Sequence, residues 1–250
     1  MIIGGSGHLG SFLVNNLLYS NNLIVLSKLK KINLKKKRKN VKFYYCDLLE
    51  EKSITSVTKK IKSRYKKIDV LIFVSAIHGK IDTFDKISLK EYKKVFQINF
   101  FSFLEIIKFF LNHLKKSNNA SVIVFSGGGV TFQRPLFSGY SCSKISLIKF
   151  IEVISYELKK FKININAIAP GMMDSKLFRE TQKYENKKKI KFVEKIKILN
   201  LINFLIEKKN KNITGKLLSA QWDNINNLKK NNKFADVYTL KRLTKDLKNK

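Results

Sequence analysis

The chain has 250 residues but only two prolines, two cysteines, one tryptophan and eleven glycines, and 18 acidic side chains stand against 51 basic ones. Cys46 and Cys142 are too few for a disulfide framework. Neither has metal-ligand spacing to His8, His78 or His113, so no metal site is expected. Apolar runs such as Ile106–Leu111 fall short of the about 20 residues a membrane-spanning helix needs. The N-terminus lacks the charged, apolar and small-residue succession of a signal peptide. These absences predict a soluble cytoplasmic protein with no membrane partner.

Scarcity of acid leaves a formal net charge of +33, which invites a nucleic-acid reading because a basic surface attracts phosphate without regard to sequence. The kind of base argues against it. Arginine occurs only at Arg38, Arg64, Arg134, Arg179 and Arg242, leaving 46 lysines. Specific nucleic-acid contacts favour arginine's bidentate fork. Abundant Lys, Asn, Ile and Phe with little Ala, Gly and Pro is what AT-rich codons specify. The lysines are therefore expected on solvated faces, with no specific nucleic-acid partner.

With 44% hydrophobic residues, the chain can bury one large core. Short apolar runs alternate with longer helical patterns, which reads as an α/β fold with a doubly wound parallel sheet in a single domain. Strands are predicted at Met1–Ile3, Leu23–Ser27, Val41–Tyr45, Val70–Val74, Val122–Phe125, Ile163–Ala167 and Leu217–Ala220. Residues 1–223 form the expected domain, and 224–250 a basic extension packed on it. Lys28–Asn40 is a lysine-dense connection. Phe96–Leu111 and Ile145–Leu158 read as helices apolar nearly all round, which implies a second buried side beyond the sheet, with Phe103 among the outward positions.

Chemistry is concentrated at Tyr140-Ser-Cys-Ser-Lys144. If Ser138 or Ser141 caps a helix there, the phenol and the ammonium share one face at i and i+4. The ammonium is then expected to stabilise the phenolate and lower a pKa of about 10, giving a competent proton donor and acceptor. At the other end, Gly4-x-x-Gly7-x-x-Gly10 follows a strand and opens a helix around Ser11–Leu18, where backbone N–H groups can meet a pyrophosphate.

Taken together, Gly4 to Gly10, Asp47, Asn99, Ser126, Tyr140/Lys144, Asn166-Ala-Ile-Ala-Pro170-Gly171 and Ile213-Thr214-Gly215-Lys216 resemble the short-chain dehydrogenase/reductase family. The likeness runs from Ile2 to about Asp223, and the 41 residues from Asn99 to Tyr140 fit it. It implies a Rossmann fold and an NAD(P)-dependent hydride transfer to or from a small-molecule carbonyl/alcohol substrate. Tyr140 is implied as the proton donor and Lys144 as its partner and ribose ligand. Ser126 is implied as the hydrogen-bond donor to substrate oxygen, and Asn99 as the holder of a relay water at a helix kink. Gly4, Ser6, Gly7, Leu9 and Gly10 would bind the cofactor's phosphates, Asp47 and Leu48 its adenine side. Pro170, Gly171, Met173 and Ser175 would lie toward the nicotinamide. The two apolar helices match those that build the family's homodimer or homotetramer.

NADP is favoured over NAD, because Ser27-Lys28, with Lys30 and Lys31 behind, stands where an acidic residue would repel a 2′-phosphate. Several positions depart from the family pattern. Only three residues precede Gly4, so either the start is assigned too far downstream or the central strand is clipped at a cost in sheet hydrogen bonds. His8 replaces a glycine, either as a helix-start residue facing solvent or as a donor near phosphate. Phe73-Val74-Ser75 replaces the asparagines before Ala76-Ile-His78-Gly79. Ser126 lies 14 residues before Tyr140 where the family has 13, so Gly127 holds the expected place and Thr131 is the alternative hydroxyl. A sugar-derived substrate and a 3-oxoacyl thioester both fit. A non-catalytic nucleotide-binding relative is the alternative function.

Overall fold

Each predicted strand falls within one residue of an observed one at its start or end, and all seven join a single parallel sheet in the order β3-β2-β1-β4-β5-β6-β7. The computed structural model describes residues 1–17, 22–29, 39–184, 191–210, 212–230 and 239–240. The strands are β1 (Ile2–Ile3), β2 (Leu23–Ser27), β3 (Val41–Tyr45), β4 (Val70–Phe73), β5 (Ala120–Phe125), β6 (Ile163–Ala169) and β7 (Leu217–Ser219). The helices are α1 (His8–Leu17), α2 (Glu51–Arg64), α3 (Leu89–Phe96), α4 (Ser102–Lys115), α5 (Ser138–Lys159), α6 (Lys176–Arg179), α7 (Lys195–Ile206) and α8 (Ile225–Lys230).

Helices cover both faces, so the inner strands are buried on both sides and read as unbroken apolar runs. β2 and β5 are buried throughout. The edge strand β3 buries Val41 but exposes Lys42, Phe43 and Tyr45. One core layer holds Phe103, Phe110, Leu147 and Ile151 under α4 and α5; the other holds Leu13, Val14, Ile198 and Ile202 under α1 and α7. Strand order reverses between β1 and β4, which opens a crevice at the carboxyl ends where doubly wound folds bind ligands.

β1 has two residues, and the hydrogen-bond ladder continues beyond it. Gly4 and Gly5 N–H donate to the Leu26 carbonyl at 2.9 and 3.2 Å, and Val74 N–H to that of Ile3 at 2.9 Å. The backbone of the glycine loop thus supplies part of what the short strand lacks.

Helical boundaries differ more. α1 begins at His8, three residues before the expected start, and Leu18 lies outside the described residues. Neither Ser138 nor Ser141 caps α5: Phe137 holds that position without a side-chain bond, and Ser138 Oγ pairs with Tyr92 Oη at 2.6 Å. The expected apolar helix extends from Leu89 to Lys115 through a π-helical turn at Gln97–Phe101. By length and composition this continuous helix could cross a membrane, but its face at Phe103, Ile106 and Phe110 packs into the core. Phe103, which the all-round pattern places outward, is wholly buried against Phe73 and Phe150.

In the C-terminal extension, Leu228 is buried in the core and the Leu240 N–H donates to Glu152 Oε2 of α5 at 3.3 Å. Lys30, Lys31 and most of the Lys28–Asn40 connection lie outside the described residues.

Candidate active site

One cleft of about 1540 Å³ runs along the carboxyl ends of the strands, from the glycine loop to the mouth of α5. Its floor at one end is Gly4 to Gly10. Gly4 has φ +90°, and a Cβ there would run into Ser75. A Cβ at Gly10 would strike the Gly4 carbonyl, so the turn between β1 and α1 closes only with glycine at both positions. Ser6, Gly7 and Leu9 line the same end. His8 is exposed as the first residue of α1, and burial followed by Lys195 lowers its pKa, although Asp174 opposes them. His8 thus starts the helix and also lines the cleft beside Gly7.

At the end of the cleft beside β2 and β3, the structure joins two residues that the sequence left apart. Lys28 Nζ lies 2.5 Å from Asp47 Oδ2. Asp47 also accepts from the Leu49 N–H at 3.1 Å, and its own N–H donates to Ser53 Oγ at 3.0 Å. Burial raises the Asp47 pKa, but bonds from Lys28 and Leu49 outweigh it and hold the carboxyl below its ordinary value. The same bond raises Lys28. Lys28 is therefore engaged by a carboxylate rather than standing alone for a phosphate. Leu48 lines the wall beside them.

At the other end, Tyr140 and Lys144 lie one turn apart on the buried face of α5. Lys144 is only 2% exposed and donates to the Phe125 carbonyl at the end of β5 at 2.8 Å. Its ammonium lies 6.0 Å from the Tyr140 ring centre. Burial lowers Lys144 to about 8 and raises the Tyr140 phenol to about 12, with Arg134 pulling the phenol back. This corrects the expectation of a phenol lowered by Lys144. Removal from water dominates both groups, and the ammonium points at a carbonyl rather than at the phenol.

Asn99 sits behind the cleft wall, wholly buried in the π-helical turn. Its Nδ2 donates to the Ile77 carbonyl and to Ser143 Oγ, both at 2.9 Å, and its Oδ1 accepts from the Ile77 N–H at 2.9 Å. Ser143 Oγ donates in turn to the Tyr140 carbonyl at 2.7 Å. Both amide hydrogens are used, so Asn99 clamps the loop after β4 to the turn of α5 that carries the pair. π-helical turns are often retained at functional sites.

Ser126 lines the cleft, buried just beyond β5, and its N–H donates to the Ile168 carbonyl at 2.9 Å. The alternative, Thr131, is exposed. Gly127 lies against the phenol itself: a Cβ built on it would fall on Tyr140 Oη. After β6, Pro170, Gly171, Met173 and Ser175 form the opposite wall, and Ser175 Oγ caps α6 by accepting from the Phe178 N–H at 3.1 Å. Asn166 is structural: its amide bonds Ile213 and Lys216, fixing the approach to β7.

The glycine cradle, the cleft's length and the polar groups at both ends fit an extended dinucleotide with room for a substrate beside Tyr140. The sequence profile described as short chain dehydrogenase matches residues 1–186. The chain belongs to the short-chain dehydrogenase/reductase family. Among its relatives, a fatty acyl-CoA reductase of Acinetobacter baylyi is 27% identical over 146 residues, covering 56% of this chain and 48% of its own. A benzil reductase of Saccharomyces cerevisiae is 27% identical over 150 residues, covering 56% of each. The chain thus spans about half the length of the curated relatives it matches. A solved short chain dehydrogenase from Francisella tularensis superposes with a TM-score of 0.74 at 26% identity, covering 87% of this chain and 94% of its own. One from Escherichia coli, solved with NADPH, gives 0.77 at 20% identity, covering 88% and 96%, and shows the shared fold.

Two residues of this family member escaped the sequence reading as site residues. His78 is buried, its ring 4.6 Å from that of Tyr140 and its Nδ1 3.6 Å from Glu180 Oε2. Arg134 stacks on Phe137, with its guanidinium carbon 3.7 Å from the ring centre. Their only sequence signal was rarity: three histidines, and five arginines among 51 bases.

Proposed function

We propose that this protein is an NAD(P)-dependent oxidoreductase that interconverts a carbonyl compound and its alcohol. The observation that carries the reading is the buried Tyr140/Lys144 pair, at the far end of the cleft from the glycine cradle. A bound nicotinamide dinucleotide would supply or accept the hydride. In the reducing direction Tyr140 gives its hydroxyl proton to the substrate oxygen, so hydride plus proton convert carbonyl to carbinol. Lys144, protonated below about 8, keeps donors beyond the one spent on Phe125 for the cofactor's ribose. Ser126 hydrogen-bonds the oxygen on which charge develops. Asn99 and Ser143 hold the pair in register.

NADP remains the favoured cofactor. Support comes from the exposed Lys28 at the end of β2, and NADPH- and NADP-bound relatives share the fold. Exposed Val153 and Tyr156 on α5 support assembly through that helix. Fluorescence titration with NADPH and NADH, followed by oxidation of the bound reduced cofactor by aldehydes and ketones, tests the reading. Cofactor binding with no turnover of any carbonyl compound or alcohol would favour a non-catalytic relative.

A further inference from the structure

His78 touches both the ring of Tyr140 and the far wall of the cleft. Its imidazole stands edge-on to the Tyr140 ring, with centres 4.6 Å apart at 76°, and edge-on to Phe137 at 5.4 Å and 77°. Its Nδ1 lies 3.6 Å from Glu180 Oε2, which is ion-pair reach rather than hydrogen-bond length. Tyr140, His78 and Glu180 all line the cleft.

The two ends of the His78–Glu180 contact differ in freedom. His78 stands on an anchored loop: Asn99 bonds both the N–H and the carbonyl of Ile77 at 2.9 Å. Gly79, at φ +73°, passes so close to α3 that a Cβ there would strike Val95. The histidine is 5% exposed. Glu180 follows the short helix α6 in the segment after β6, and its side chain is 43% exposed. A carboxylate so placed can swing out to water; the imidazole cannot. Gly127 offers the phenol oxygen no side chain, and Lys144 donates to the Phe125 carbonyl, so the edge-on imidazole bears directly on how the ring lies.

We propose that His78 is a positioning residue: it steadies the Tyr140 ring for proton transfer, and Glu180 ties it to the wall after β6, so that this wall and the phenol come into place together. Histidine suits both tasks, because its ring packs on the phenol while its nitrogen meets a carboxylate. Phenylalanine would keep the packing and lose the tie; alanine would lose both. This rests on the reading of the site as a carbonyl/alcohol oxidoreductase.

The test uses NADPH-saturated protein and the variants Glu180→Ala, His78→Phe, His78→Ala and the double variant His78→Phe/Glu180→Ala. Hydrogen exchange is followed by mass spectrometry in the peptide spanning residues 176–184. It should quicken by about twofold to fivefold in Glu180→Ala and in His78→Phe, the range for a partly exposed ion pair, and no further in the double variant. Turnover is measured with NADPH and ethyl acetoacetate, benzaldehyde or cyclohexanone, whichever the parent reduces. KM should rise by a similar factor in the same three proteins. His78→Ala should in addition lower kcat by about tenfold or more, and His78→Phe should recover most of that loss. Parent-like exchange or KM in Glu180→Ala, or additive effects in the double variant, overturns the proposal and leaves the oxidoreductase reading intact. So does a kcat in His78→Phe as low as in His78→Ala. Coupled exchange without turnover of any carbonyl compound would keep the tie and sink the redox reading; parent-like exchange without turnover would overturn both. If His78→Ala does not fold, Glu180→Ala, at a half-exposed side chain, decides.

Discussion

A Cβ on Gly127 would run into the hydroxyl oxygen of Tyr140, so that any side chain at this position would collide with the phenol. The resemblance puts the family's hydroxyl at this position, one residue after Ser126. Gly127→Ala should push the phenol aside and lower kcat by at least about tenfold. NADPH affinity should change by no more than a few-fold if the distant glycine loop holds the cofactor. Unchanged turnover in Gly127→Ala would mean that the ring can retreat without consequence.

The two candidate hydroxyls separate by burial. Ser126→Ala should lower kcat by about 10²–10³, the effect of removing one donor to developing oxyanion charge. Thr131→Val, at an exposed position, should stay within a few-fold of the parent. Steady-state kinetics of the two variants on one substrate decide, and the reverse order would move the role to Thr131.

On the proposed reading, cofactor choice should turn on the contact between Lys28 and Asp47. Lys28→Asp places two carboxylates together and should weaken NADPH far more than NADH. Since Lys28 is exposed, the parent's preference for NADPH should shrink with salt, as screening acts over about 10 Å at 0.1 M. Fluorescence titrations at low and high ionic strength check this, and an NADH preference at every salt concentration would contradict it.

Burial of the Tyr140/Lys144 pair has a pH signature. Lys144 falls from 10.5 to about 8 in the fold, so between these values the unfolded chain binds more protons and stability rises with pH. Tyr140 rises from 10.0 to about 12, so from about 10 upward the unfolded chain loses protons first and stability falls. Lys144→Met should remove the rise, worth roughly 3 kcal/mol, and Tyr140→Phe the fall. Denaturation midpoints across the alkaline range measure both, and a parent-like rise in Lys144→Met would assign it elsewhere.

Assembly is best probed where the surface is apolar and open. Tyr156 is 83% exposed and Val153 51%, one turn apart on α5. Tyr156→Glu should yield a smaller species by light scattering if this face joins two copies. An unchanged parent monomer at micromolar concentration would remove the reason for the substitution.

Strands were legible because a parallel sheet buried on both faces leaves continuous apolar runs such as Leu23–Ser27, bounded by polar residues. The Tyr140/Lys144 pair and the glycine loop were legible because spacing alone places them on one face or at one helix start. What the sequence concealed depends on distant chain segments. Nothing local announces that Asp47 reaches Lys28, that Arg134 lies over Phe137, or that His78 edges onto Tyr140. The phenol's pKa was misjudged because motif spacing carries no information about burial. Phe103 was misplaced because an all-round apolar helix hides which side meets the sheet.

Tyr140→Phe provides the most direct test, measured as NADPH-dependent turnover beside NADPH affinity. The substitution deletes one buried oxygen and no packing surface, so affinity should hold while kcat falls by about 10²–10⁴. Turnover within a few-fold of the parent would show that another group delivers the proton, and the account of this site built on Tyr140 would be wrong.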